Sequence, residues 1–271
     1  MSLQHRVRET RIRVRWEIGI VLALSLLPSA IYAIISLLET LALTSASGGI
    51  GSAQQAINPQ TSTIPAADIA RRVAATLFAF VPVALAIWLL WRRRETGFER
   101  LGLTVSKSKR FLRDLGSGVL LALAIGIPGL ALYAASRVAG LTPQLVTSST
   151  ELAWWMVPLL LLAATRAALI EEVIVVGYLS TRLRTLGWTY VAILAASAVL
   201  RGSYHLYQGP AMALGNVAMG VVFTGWYLRA KRKDAHGDRA RVLPLVLAHF
   251  LLDCVAFFGY PLAVSLWPGL F

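Results

Sequence analysis

Runs of about 20 apolar residues, set apart by short basic segments, recur along this 271-residue chain and constrain its fold more than any other feature. A bilayer core takes about 20 helical residues to cross, and the backbone polar groups inside it must be satisfied within the protein. The composition agrees: 57% hydrophobic, 14% charged, with a mean hydropathy of +0.66. That balance excludes an ordinary soluble domain. The expected fold is all-α, a polytopic membrane bundle of about seven transmembrane helices. The expected spans lie near 16–43, 73–91, 116–139, 152–179, 188–207, 210–228 and 242–259. The apolar tail 260–271 is too short for a full crossing and leaves room for a short eighth helix at most.

The net charge of +13 invites a nucleic-acid reading, but its distribution argues against one. Of the 26 Lys and Arg residues, 21 fall in 1–15, 92–113, 182–184 and 229–241, at the ends of apolar runs. This is the pattern of cytoplasmic loops meeting anionic headgroups, so the expected contacts are membrane lipid and not nucleic acid. Counting crossings gives a multi-pass protein of the cell membrane with a cytoplasmic N-terminus; Arg71 and Arg72 are a mild exception. The sequence divides into a basic N-terminus, 1–15, and one membrane domain, 16–271. Residues 44–67, rich in Gly, Ser, Ala, Gln and Thr with two prolines, read as a structureless outer loop. Part of 92–115 reads as an amphipathic interfacial helix. Gly215, Gly220 and Gly225 allow a neighbour to approach span six closely, within the bundle or in a dimer. The single Cys254 forms no intramolecular disulfide.

Ionisable side chains inside a bilayer are costly and mark functional sites. Spans four to seven carry Arg166, Glu171, Glu172, Arg201, His205, His249 and Asp253. Glu171 and Glu172 project about 100° apart on a helix, so one can face a reacting group while the other faces supporting helices. Arg201 and His205 share a helix face, as do His249 and Asp253. A carboxylate one turn from an imidazole fixes its orientation. Such a set suits amide hydrolysis, through a Glu-activated water with histidines stabilising the oxyanion, or through a divalent metal such as zinc held by Glu171, His205 and His249. The one-helix zinc signature His-Glu-x-x-His is absent, and Ser203 has no activating motif beside it.

The order and spacing resemble the CPBP family of intramembrane proteases, which includes CAAX prenyl endopeptidases and bacteriocin-processing or immunity proteins. That pattern is Glu-Glu-x-x-x-Arg, then Phe-x-x-x-His, then His-x-x-x-Asn or Asp, on successive membrane helices. Glu171-Glu172 with Gly177-Tyr178-Leu179, then His205, then His249 and Asp253 carry the likeness, over about 152–257. It implies an intramembrane endopeptidase acting on a membrane-associated, CAAX-type or other peptide. Glu171 and His205 would activate water, and His249 and Asp253 would bind the oxyanion or orient the site. Val176 and Arg201 depart from the pattern, standing where it has Arg and Phe. The expectation is a swap, with Arg201 supplying Glu172 with the charge that Val176 cannot. The rival readings are a non-catalytic immunity or scaffold protein of the same fold and a proton-coupled transporter. The cavity is expected to open toward the cytoplasmic half. Straight helices of the expected lengths leave His205 deeper than Glu171 and His249, a gap that a tilted or late-starting fifth helix would close.

Overall fold

The structure, a computed structural model, describes residues 3–46, 48–105, 108–147, 154–233 and 240–266. It is an all-α membrane bundle with one small strand pair. The helices are α1 (Leu3–Leu24), α2 (Leu26–Thr44), α3 (Pro65–Leu89), α4 (Gly97–Leu101), α5 (Ser108–Val138), α6 (Met156–Leu169), α7 (Ser180–Thr185), α8 (Tyr190–Tyr204), α9 (Pro210–Lys233) and α10 (Leu243–Leu266). A π-helical segment, Ile170–Leu179, joins α6 to α7 without a break. Among the described residues, α2, α3, Lys109–Val138 of α5 and Pro210–Ala230 of α9 are long and apolar enough to cross a membrane; Tyr190–Tyr204 and Leu243–Gly259 are shorter apolar helices.

Several expected boundaries move, each for a local reason. The first expected span is two helices broken at Ser25. Pro28 cannot donate to the Leu24 carbonyl and would crowd it, and the Ser25 hydroxyl donates instead to Val21 O at 2.6 Å. The loop 44–67 is not structureless. Its β1 (Gln54–Ile57) pairs in parallel with β2 (Gln144–Thr147), Gln54 opposite Gln144. Among the described residues of 92–115, the helix that precedes α5 is the five-residue α4. Thr96 and Glu99 form its capping box, and Gly102 ends it in the left-handed region at φ 63°. Through Leu266 the apolar tail continues α10 and forms no separate eighth helix; 267–271 lie outside the described residues.

The π segment is the centre of the bundle. From Glu171 to Leu179 every residue is buried, packed by α3, α4, α8, α9 and α10. Its run Val173-Ile174-Val175-Val176 is β-branched, which crowds the preceding turn of an α-helix. Beyond it, Arg182 ties three elements together. It makes an ion pair with Glu17 of α1 at 2.8 Å and donates to Leu89 O at the end of α3 at 2.6 Å. Gly220 of α9 lies so close to α8 that a Cβ there would stand 2.8 Å from Ala198 Cα. Gly215 faces Leu132 and Gly225 faces Leu194, so the glycine stripe of span six packs inside the bundle.

Candidate active site

Equal depth in three elements brings the chemistry together. Glu171 lies 14 residues before the end of α7 and Tyr204 lies 14 residues after the start of α8. Both therefore lie several turns back from the turn at 186–189, and at that depth the Tyr204 hydroxyl meets Glu171 Oε2 at 2.9 Å. The sequence arithmetic left His205 too deep because it ended the fourth helix near residue 181; the helix continues to Thr185. The third element is set by Gly177. A Cβ there would stand 2.5 Å from Leu101 Cδ2 and 3.1 Å from Val242 Cγ2, so the three residues share one level. Val242 N also donates to Leu101 O at 2.8 Å. Glu171 is six residues back from Gly177 and His249 is seven on from Val242. Both therefore stand on the same side of that level and meet, His249 Nε2 4.0 Å from Glu171 Oε2.

Glu172 is fully buried. Arg201 Nη2 donates to its Oε1, and His249 Nδ1 lies 2.7 Å from the same oxygen. Arg201 is itself fully buried, its guanidinium 5.5 Å from the centre of the Phe223 ring. The pairing expected of Arg201 and Glu172 is therefore formed, while Val176 packs in the apolar core.

Glu171 sits beside Glu172 against the same Arg201 and His249 but has a different hydrogen-bond partner. Its Oε2 accepts from the Tyr204 hydroxyl at 2.9 Å and lies 3.5 Å from Arg201 Nη1 and 4.0 Å from His249 Nε2. Asp253 Oδ1 is 3.7 Å from His249 Nε2, one turn along α10. Both ring nitrogens of His249 thus face carboxylate oxygens, an arrangement suited to donating. His205 caps the end of α8, its Nδ1 3.0 Å from Arg201 O and its ring against that of Tyr204, centroids 4.8 Å apart. A carbonyl only accepts, so Nδ1 carries the hydrogen, and in the neutral ring Nε2 is the acceptor. Tyr204 links Glu171 to His205, its hydroxyl on the first and its ring on the second. Gly209, at φ 96°, makes the turn that follows; a Cβ there would meet Pro143 Cδ at 2.9 Å.

All the residues expected from sequence at this site converge: Glu171, Glu172, Arg201, His205, His249 and Asp253. Tyr204 went unrecognised, although it precedes His205 and lies one turn from Arg201. The metal set differs from the expected one. Glu171, Glu172 and His249 can each bring one ligand atom within 4.8 Å of the others, and His205 is not among them. Glu172 Oε1 is engaged by Arg201 and His249 and Glu171 Oε2 by Tyr204, whereas Glu172 Oε2 is buried with no hydrogen-bond partner among the described residues. A divalent ion would also sit beside the buried guanidinium. Arg201 supplies the site with one cation, and Glu171, Glu172 and His249 are the residues that would hold a divalent one.

The cavity that reaches the site, about 490 Å³, is lined by α2, β1, α3, α6, Tyr204 and Tyr207. It lies toward the strand pair and away from the basic segments at 92–94 and 182–184. The lining of the cavity depends on the β1 segment, which the sequence does not reveal.

No curated protein and no solved structure matches the chain. Residues 153–255 match the family model described as type II CAAX prenyl endopeptidase Rce1-like. That segment holds Glu171, Glu172, Arg201, His205, His249 and Asp253, and the match supports membership of the chain in the CPBP family.

Proposed function

We propose that this membrane protein is an intramembrane endopeptidase that hydrolyses a peptide bond of a membrane-associated substrate, with water activated by Glu171. The observation that carries this reading is the division of labour between adjacent carboxylates. Glu172 is locked by Arg201 and His249, whereas Glu171 has the Tyr204 hydroxyl as its hydrogen-bond partner, and Tyr204 packs its ring against His205. Glu171 takes a proton from water while the hydroxide oxygen attacks the carbonyl carbon. His205 Nε2 helps to orient that water. His249, held by Glu172 and Asp253, donates to the oxyanion as it forms. The proton then passes to the departing amine as the C–N bond breaks. Nothing in the site specifies a prenyl group.

The same reading puts the protein in the cell membrane with its N-terminus cytoplasmic, because the basic segments gather at one end of the bundle. A non-catalytic scaffold or immunity function is favoured by one feature, the apolar Val176 where the family pattern has Arg. Cleavage of a membrane-peptide library by purified protein in lipid, with and without chelator, separates the readings. Cleavage that is lost in Glu171→Ala with folding intact is the expected result. No cleavage by well-folded wild type supports the scaffold.

A further inference from the structure

The strand pair has two outer edges, and they differ. The ladder bond from Gln144 N to Ala53 O, 2.9 Å long, fixes the phase of the parallel pair. Backbone groups alternate between the two sides of a strand. Ala53, Gln55 and Ile57 therefore turn theirs to β2, and Gln54 and Ala56 turn theirs to the outer edge of β1. On β2 the outer edge is closed, because Leu145 N donates to the Tyr133 hydroxyl of α5 at 3.1 Å. On β1, Ala56 has no hydrogen-bond partner on that side among the described residues, and it lies on the wall of the cavity. Asn58, on the same wall, carries a buried Nδ2 with no hydrogen-bond partner among the described residues. Ile57 packs against the cluster of Leu160, Ala164 and Phe257, which holds β1 on α6 and α10. An unpaired sheet edge on a cavity wall is a template for a further strand.

We propose that the substrate polypeptide docks in extended form on the outer edge of β1 as a third strand, through main-chain bonds to Ala56 and a bond from Asn58 Nδ2 to one of its carbonyls. This rests on the proteolytic reading above. Tyr204 lines the same cavity while its hydroxyl is 2.9 Å from Glu171, so a strand laid along β1 occupies the space that reaches the carboxylate. Main-chain bonds read no side chain, so the edge accepts segments of varied sequence. Leu159, Leu162 and Ala163 give the cavity an apolar wall for the side chains of such a segment. Asn58, in the left-handed region at φ 57°, marks the end of β1. Both strands and Asn58 lie outside residues 153–255, the segment that matches the family model. The edge is thus supplied by this chain's own connecting loops. A second copy of the chain fits less well, because the cavity of about 490 Å³ admits one extended segment and not a folded partner.

The test uses full-length Glu171→Gln protein in phosphatidylcholine vesicles, so that binding does not depend on cleavage, and a pooled set of apolar twelve-residue peptides. The tightest binder is remade with a single N-methyl group at each backbone nitrogen in turn. A strand turns every second N–H to one side. Binding should therefore fall about tenfold at alternate positions of one stretch and keep the parent value between them. Ala56→Pro removes the outward N–H, a change that an edge strand tolerates because the ladder does not use that group. It should weaken binding about tenfold with the unfolding midpoint unchanged, and in active protein raise KM more than it lowers kcat. Asn58→Gly keeps the left-handed backbone, loses the amide and should weaken binding several-fold. N-methyl effects with no period of two overturn the proposal. So does Ala56→Pro protein that folds and binds at the parent affinity. If Ala56→Pro changes the oligomeric state and not the peptide affinity, the edge belongs to a second copy, which also overturns it. If Ala56→Pro fails to fold, the alternation measured on the Glu171→Gln protein decides alone. Alternating binding with no cleavage by active protein upholds the docking edge and sinks the protease reading instead.

Discussion

Arg201 and His249 converge on one oxygen, Oε1 of Glu172, from α8 and α10. A carboxylate, a guanidinium and an imidazole so share a region from which water is excluded. Their attraction compensates for desolvation only while all three are present. The arrangement holds Glu172 still, while the neighbouring Glu171 is tied to the cavity wall through Tyr204.

Removing the guanidinium should therefore cost far more than a surface charge. Arg201→Ala is expected to lose about 3–5 kcal/mol by leaving Glu172 buried and uncompensated. Its midpoint in thermal unfolding in detergent should fall well below that of wild type. An unchanged midpoint would mean that the pair does not support the fold.

Exchanging the two departures tests the swap itself. Arg201→Phe should destabilise like Arg201→Ala, and adding Val176→Arg should recover part of the loss, because the arginine returns four residues after Glu172. A double-mutant cycle on unfolding measures this. Additive losses would show that the two positions do not substitute for one another.

How much of this was legible beforehand follows from what a bilayer forbids. Charges at membrane depth must be paired, so Glu172 pointed to Arg201 and His249 to Asp253 before any geometry was available. The helices around them were equally plain from apolar length. Tyr204 was not, since a tyrosine in an apolar helix more often marks a membrane interface than a carboxylate's partner. The break at Ser25 was in view in Pro28 but was masked by unbroken hydrophobicity. The β1–β2 pair joins segments some 90 residues apart, and four-residue strands in a Gly- and Ser-rich loop carry no periodic signal. The depth of His205 could not be settled until α7 was known to run to Thr185.

Tyr204 gives a milder test than the ion pair. Tyr204→Phe removes the donor to Glu171 Oε2 but keeps the ring against His205. Cleavage should fall about tenfold with unfolding little changed, the scale of one hydrogen bond to a charged group. Wild-type turnover would remove Tyr204 from the site.

Arg201 already brings a positive charge to the Glu172 carboxylate, so water activation by Glu171 alone predicts that chelators leave cleavage unchanged. The comparison is turnover before and after exhaustive chelation, with the metal content of the purified protein measured in parallel. Activity that disappears on chelation and returns with a divalent ion would overturn the metal-free reading.

Close packing of α8 and α9 carries Arg201 and Tyr204 to their places. Gly220→Val puts bulk against Ala198 Cα, where even a Cβ would be 2.8 Å away. The helices must then separate, at a cost of about 1–3 kcal/mol. Hydrogen exchange should rise in both helices, and unchanged protection would contradict this packing.

The most direct measurement compares wild type with Glu171→Gln in lipid vesicles on one cleaved peptide, after showing equal unfolding midpoints. The substitution keeps the shape and the acceptor for Tyr204 but cannot take a proton from water. The account predicts that the rate falls at least about a hundredfold. Cleavage by Glu171→Gln at the wild-type rate would contradict it.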